Sequence, residues 1–432
     1  MSNQPGQNNP NILIKNARVL NPANGGDNTS DVLIENGVIT KIGNNISKSD
    51  AETIDAQDLW LLPGLTDIHV QLREPGYEGK ETIASGTKAA AAGGITSLAC
   101  MGNTNPPTDN KTGIEFIIER AKVKGIVRVY PVGAITKGME GKELALMGEM
   151  VEAGAIAIND EKGINNAQVM RRTMEYSTIF KIPVYSHAED HSLTSDGFIN
   201  DGQMAVKLGL IGQPPEAESI QVARDLLLAK KTGAHLHLTH ISTADSVDLI
   251  RFYKAKGVKV TCETAPHYLL LTDEATEDFN TNAKVTPPLR TKEDQEALFA
   301  GLRDGTIDCI TSDHSPYTDE DKNAEFPIAP SGVIGMETLL PLVMNQILER
   351  SGMDLLALLR TVTDKPASVL NLKGGHIAVG APADLTLWNP EPEGAIDKNA
   401  FFSKSRNTPF NGWKVKGRVA KTIVGGKIVF EA

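Results

Sequence analysis

The sequence predicts an α/β chain, a (β/α)8 barrel carrying a small β-sandwich domain formed by its two ends. Three observations carry this expectation. Eight apolar, strand-like runs alternate with helix-length segments between residues 61 and 313, the pattern of parallel βαβ units that closes into a barrel. Short β-type runs with hairpin signals remain at both ends, free to pair with each other. Several of the eight runs end on a residue able to bind a metal, and strand ends of such a barrel converge on its C-terminal rim.

Near the N-terminus, Asn11-Ile-Leu-Ile-Lys-Asn and Asp31-Val-Leu-Ile-Glu-Asn-Gly-Val-Ile are apolar β runs, with Asn36-Gly37 as a tight-turn signal. The far end repeats the style in Ala383-Asp-Leu-Thr-Leu-Trp and Thr422-Ile-Val-Gly-Gly-Lys-Ile-Val-Phe, where Gly425-Gly426 suits a hairpin. The expected small domain is therefore 11–62 with 378–432, and the expected barrel is 63–377. Its strands are Leu61 to His69, Thr96 to Met101, Val127 to Gly133, Ala155 to Asp160, Pro183 to His187, Ala234 to His240, Val258 to Glu263 and Asp308 to Asp313. Lys80 to Ala92 and Ala217 to Lys230 are long enough to be crossover helices, the second opening on acidic residues, Glu216 included, that suit a helix N-terminus.

Composition narrows the function classes. With 432 residues, 40% hydrophobic and 22% charged, the chain has the make-up of a soluble protein, and no apolar run approaches the roughly 18 residues needed to span a bilayer. A net charge of −11 disfavours nucleic acid, whose phosphates are bound by Lys and Arg. Met1 to Pro10 is polar and reads as a loose tail without the basic start and apolar stretch of a secretory signal. Cys100, Cys262 and Cys309 are far apart and sit in apolar runs, as buried thiols of a reducing compartment do; the expected location is the cytoplasm.

The candidate chemistry lies at the strand ends. In Asp67-Ile-His69-Val-Gln71-Leu-Arg73 alternate residues share a face, so His69, Gln71 and Arg73 point the same way, toward the barrel mouth. His187, His240 and Asp313 each close a later strand, and all three are ligand types suited to zinc. Asp160 adds a carboxylate able to bridge two ions, and Asp313 is both a ligand and a general base toward bound water. His191, His235, His237 and His267 read as structural or supporting histidines, and His314 should face away from Asp313. A metal here would polarise a carbonyl and activate water, so the reaction class is amide hydrolysis.

Several local motifs resemble those of dihydroorotases of the longer bacterial class, almost end to end. Leu72-Arg-Glu-Pro-Gly76 is similar to the family's metal-and-substrate segment, Met101-Gly-Asn-Thr-Asn-Pro106 to its substrate-amide segment, and Pro287-Pro-Leu-Arg290 to a third pocket segment. Asp313-His-Ser-Pro316 follows the catalytic-aspartate motif, Ala329 to Glu337 the pocket-closing segment, and Ser403-Lys-Ser-Arg-Asn-Thr-Pro-Phe410 the C-terminal signature. The resemblance implies interconversion of dihydroorotate and N-carbamoyl-aspartate in pyrimidine synthesis at one or two Zn2+ ions. It implies His69 and residue 71 on one ion, His187 and His240 on the other, Asp160 as bridge and Asp313 as ligand and proton shuttle. Arg73 and Asn103 would hold the substrate carboxylate, with Thr286 and Tyr317 as further pocket positions.

The departures from the pattern cluster there too. The family has His at Gln71, Asn at Thr286 and His at Tyr317, and its Asp-Asp-Gly has become Asp160-Glu-Lys-Gly163. A Gln amide oxygen is a weaker zinc ligand than imidazole, so the ion near His69 should bind less well. Two further readings follow: a noncatalytic subunit that scaffolds aspartate carbamoyltransferase, and a hydantoinase- or allantoinase-type hydrolase with Lys162 near the place of a carboxylated bridging lysine. The expected partners are a small-molecule substrate, further copies of this chain and that transferase.

Overall fold

The computed structural model describes residues 10–194 and 197–432, so Met1 to Asn9 of the polar N-terminal stretch lie outside the described residues. Eight parallel strands form the barrel in chain order: β1 Leu65–Val70, β2 Ile95–Cys100, β3 Arg128–Ala134, β4 Ala157–Asn159, β5 Val184–Ser186, β6 Leu236–Leu238, β7 Val260–Thr264 and β8 Cys309–Ile310. The first and last meet just beyond the strand ends, where Val70 and His314 form a parallel bridge and Gln71 N–H donates to His314 O at 2.9 Å. Every residue of β1 and β2 is buried, as strands covered on both faces must be.

The expected first strand, Leu61 to His69, is two strands. Trp60–Pro63 pairs in the end sheet, and β1 begins at Leu65. Pro63 lacks the N–H that would continue a ladder, and at Gly64 the chain passes so close to Thr96 that an added Cβ would stand 2.2 Å from its side chain. The switch between sheets therefore sits at a Pro-Gly pair.

Helices cover the barrel where the sequence supplies caps. The stretch beginning at Lys80 becomes helical only at Ile83–Ala92, because the Thr82 side chain accepts Ser85 N–H in a capping box and fixes the start. Glu216–Thr232 is helical with Glu216 and Glu218 in its first turn. Lys292–Asp304 starts on the capping box Thr291/Asp294. Capping of this kind matters to the site, because each helix start fixes the loop that leaves the preceding strand.

Both chain ends share one mostly antiparallel sheet. Its order is Lys427–Glu431, Lys414–Val424, Leu385–Ala395, Trp60–Pro63, Asn11–Asn21, Gly26–Glu35, Val38–Gly43, with Ala51–Asp55 also paired to Asn11–Asn21. Asn36 and Gly37 adopt φ of 52° and 79°, the left-handed pair a two-residue hairpin needs. This sheet has its own apolar core around Ile12, Ile34, Leu61, Leu385 and Ile423. Arg128 on β3 ties it to the barrel with a two-pronged ion pair to Asp384, at 2.7 and 3.0 Å. All three cysteines are buried and free, and among the described residues no helix is long and apolar enough to cross a membrane.

Candidate active site

His69, the last inward residue of β1, sits on the floor of the barrel mouth, fully buried. Its Nδ1 donates to Glu263 Oε1 at 2.6 Å, and the other Glu263 oxygen accepts from His237 Nε2 at 3.1 Å. A carboxylate behind an imidazole fixes the ring's orientation and tautomer, leaving Nε2 to face the mouth. Glu263 is not singled out by the sequence, although it lies in strand seven on the inward parity shared with Thr261.

Gln71 lies above His69 with its amide fully used: Oε1 accepts from Ser315 Oγ at 3.0 Å and Nε2 donates to Glu161 Oε2 at 3.0 Å. Gln71, expected among the metal ligands, is placed here as a polar bracket between two pocket residues. Asp160, expected as a bridge between ions, turns to the backbone instead. Its carboxylate accepts from the backbone N–H of Ile135 (2.8 Å) and Thr136 (3.2 Å) and from the Thr136 hydroxyl, and burial pushes it up to about 6. Glu161 enters the mouth instead, with Oε1 accepting from Asn159 Nδ2 at 2.8 Å and standing 3.5 Å from His69 Nε2. Strand parity explains the exchange: residues 157, 159 and 161 share a face, so the carboxylate one position later is the inward one.

His187 and His240, just beyond β5 and β6, meet each other, Nδ1 to Nε2 at 2.9 Å. His187 Nε2 donates to Glu189 Oε2 at 2.6 Å. Asp313, beyond β8, places Oδ1 3.9 Å from His69 Nε2 and Oδ2 3.4 Å from His267 Nε2, so His267 joins the site. His314 turns the other way, toward Glu81 and Gly335 N–H. Arg73, His240 and Asp313 hold φ of 61°, 36° and 49°, an unfavourable region for residues with a Cβ, which the packed surroundings must impose.

These side chains surround a cavity of about 530 Å3 whose lining includes Gln71, Asn103, Glu161, His187, Thr286 and Asp313. Arg73, His240 and Tyr317 line it as well, whereas His69 and Asp160 are buried outside its lining. Arg73 donates through Nε to Pro316 O and through Nη2 to Ser315 Oγ, and its guanidinium lies 4.7 Å from the centre of the Tyr317 ring. Such bracing holds a cation ready for a carboxylate at low entropic cost.

Electrostatics sort the imidazoles. Burial opposes a charge on His69, but Glu263 and Glu161 together raise it well above the ordinary imidazole range. Burial likewise opposes ionisation of Glu161, yet the neighbouring His69 holds it below its usual value. Burial and the adjacent His187 and His69 push His240 well below. The centre thus favours positive charge between two carboxylates and offers a neutral imidazole beside it.

That pattern bears on a metal. His69 Nε2, His240 Nδ1 and His267 Nε2 are buried without a hydrogen-bond partner, and Glu161 and Asp313 stand next to the first. Imidazole nitrogens and carboxylate oxygens are the donor set of zinc. Among the described residues no three of these donors already stand in a closed cluster. The donor chemistry fits a cation, with His187 and His240 spending one nitrogen each on the other.

Residues 59–246 match the Dihydro-orotase-like family, and residues 221–430 the Amidohydrolase family. The chain is 49% identical to a dihydroorotase of Syntrophotalea carbinolica, covering 97% of this chain and 99% of that one. It is 46% identical to the dihydroorotase of Acetivibrio thermocellus, covering 97% and 98%, and 47% identical to that of Trichlorobacter lovleyi, covering 97% and 99%. Among solved structures it resembles an L-hydantoinase (dihydropyrimidinase) from Arthrobacter aurescens at a TM-score of 0.89 and 26% identity, over 98% of this chain and 96% of that one. A dihydropyrimidinase from Brevibacillus agri gives a TM-score of 0.86 at 25% identity, over 98% and 95%.

Proposed function

Because the chain belongs to the dihydroorotase family of amidohydrolases, we infer that its barrel mouth opens and closes the cyclic amide of dihydroorotate, in exchange with N-carbamoyl-aspartate. The observation that carries the reading is a single cavity lined by a braced arginine, an asparagine, two imidazoles and two carboxylates. Arg73 and Asn103 bind the substrate carboxylate, and Thr286 and Tyr317 shape the wall around it. Asp313 takes a proton from the attacking water and returns it to the ring nitrogen as the C–N bond breaks. Glu263 holds the His69 ring in place, and Gln71 orients Glu161. Zn2+ would be held by His69, Glu161, His187, His240 and Asp313 as one or two ions; when bound it supplies Lewis acidity to the amide carbonyl and lowers the pKa of water. The hydantoinase-type alternative has Lys162 only near the place of a carboxylated bridging lysine, and the carboxylate of Glu161 beside His69 favours the dihydroorotase reading over it.

Assembly with further copies and with aspartate carbamoyltransferase, and a place in the cytoplasm, follow from the family resemblance; sizing the purified chain with and without the transferase measures the first two. The activity is tested by assaying purified protein for zinc and for dihydroorotate hydrolysis beside Asp313→Ala. Loss of about 100-fold or more in kcat is expected of the variant. Wild-type protein that is zinc-loaded and still inert on dihydroorotate would overturn the activity and leave the scaffold and hydantoinase-type readings.

A further inference from the structure

Phe326 to Gly332 runs between two short elements without joining a helix or strand, and its last residues, Ser331 and Gly332, line the cavity. Such a segment has no ladder to satisfy its carbonyls. Here two lysines do so. Lys284 Nζ donates to Phe326 O (2.6 Å), Pro327 O (3.1 Å) and Ala329 O (2.6 Å), filling all three of its donor directions. Lys322 Nζ donates to Pro330 O (2.9 Å) and Gly332 O (3.1 Å). Both lysines are buried, and among the described residues no carboxylate is ion-paired to either.

Burying an ammonium is costly unless its hydrogen bonds are fully made, so two of them closing on five carbonyls of one segment is an expensive way to hold a loop. The expense falls where precision is needed. Gly332, at φ 141°, packs so closely that a Cβ would lie 2.5 Å from Ser315 Oγ and 2.9 Å from the Tyr317 ring. Ser315 is the partner of both Gln71 and Arg73. The carbonyl of Gly332 also accepts from Asn407 Nδ2 at 3.0 Å, and Asn407 Oδ1 accepts from Tyr317 N–H at 3.1 Å. A shift of this segment therefore moves the Arg73 wall of the cavity.

We propose that Lys284 and Lys322 are positioning residues, a two-lysine staple that fixes the 326–332 segment against the Ser315–Tyr317 wall and thereby sets substrate affinity. The proposal rests on the dihydroorotase reading only for its kinetic part. Lys322→Met and Lys284→Met keep chain length and remove the donors. Each is expected to raise KM for dihydroorotate at least tenfold while kcat stays within about threefold, and to speed amide hydrogen exchange at Ile328, Ala329 and Gly332 without changing exchange in β1 to β8. Lys322→Arg, which keeps a cationic donor, should recover part of the KM. Unchanged KM and unchanged exchange in folded variants would overturn the staple. Should the methionine variants not fold, exchange in the wild type decides: the amides of Ile328, Ala329 and Gly332 must be protected like those of the neighbouring strands, and fast exchange there overturns the proposal. An inert wild type would count against the dihydroorotase reading alone, since exchange still reports on the staple.

Discussion

At the scale of single residues, the site is governed by who holds whose hydrogen bond. Glu263 is shared by His69 and His237 with no solvent in reach, so Glu263→Gln removes a buried charge from between two imidazoles. Breaking a buried ion pair from one side costs about 3–5 kcal/mol, and a loss of that order in urea unfolding is the expected result. A change below about 1 kcal/mol would mean that His69 is neutral and weakly held. Gln71 is the second case. Its amide is committed to Ser315 and Glu161, so Gln71→His exchanges a bracket for a ring nitrogen beside His69 and Glu161. Zinc affinity by chelator competition should tighten about tenfold, the size of effect that changes around a metal's ligands produce; equal affinity would show that position 71 does not reach the ion.

At the scale of elements, the junction at Gly64 is where the chain leaves the end sheet and enters the barrel. The space a Cβ would need is filled by Thr96 of β2, and both neighbours are buried strands that cannot yield cheaply. Gly64→Ala should therefore lower stability by about 1–3 kcal/mol, read as a fall in Tm. Gly64→Ala combined with Thr96→Ala should recover part of that loss, because the alanine removes both the methyl and the hydroxyl that meet the new Cβ. No recovery would place the strain elsewhere than at Thr96.

At the scale of the whole molecule, the C-terminal signature is tied into the barrel mouth. Glu337 accepts the backbone N–H of Phe402 (2.7 Å) and Ser403 (3.2 Å), and burial pushes its carboxyl up to about 7. A carboxyl raised on folding favours its protonated form, so its contribution is fully present below the ordinary value of about 4.5 and fades as pH rises through about 7. Between pH 5 and pH 8, taken as about the limits of that window, Glu337→Gln should flatten the stability profile and gain relative to wild type toward the alkaline side. Parallel profiles for the two proteins would show that Glu337 titrates alike folded and unfolded. The Arg128–Asp384 pair joins the end sheet to β3 with both partners largely enclosed, so Asp384→Asn should cost about 1–3 kcal/mol in the same unfolding assay.

The alternation of apolar runs and the hairpin signals at Asn36-Gly37 and Gly425-Gly426 determined the barrel and the end sheet, because period and turn chemistry are local properties of a chain. His69, His187, His240, Asp313 and Arg73 were legible for the same reason, as polar residues closing apolar strands. Tertiary structure decided the rest. Asp160 and Glu161 are adjacent acids, and only the length of β4 and the backbone N–H groups of Ile135 and Thr136 settle which of the two turns inward. Glu263, His267 and Lys284 took their places through partners far along the sequence, Glu263 at 194 residues from His69. A group's chemistry is written in its residue type, but what it does depends on what is packed beside it once the chain has closed.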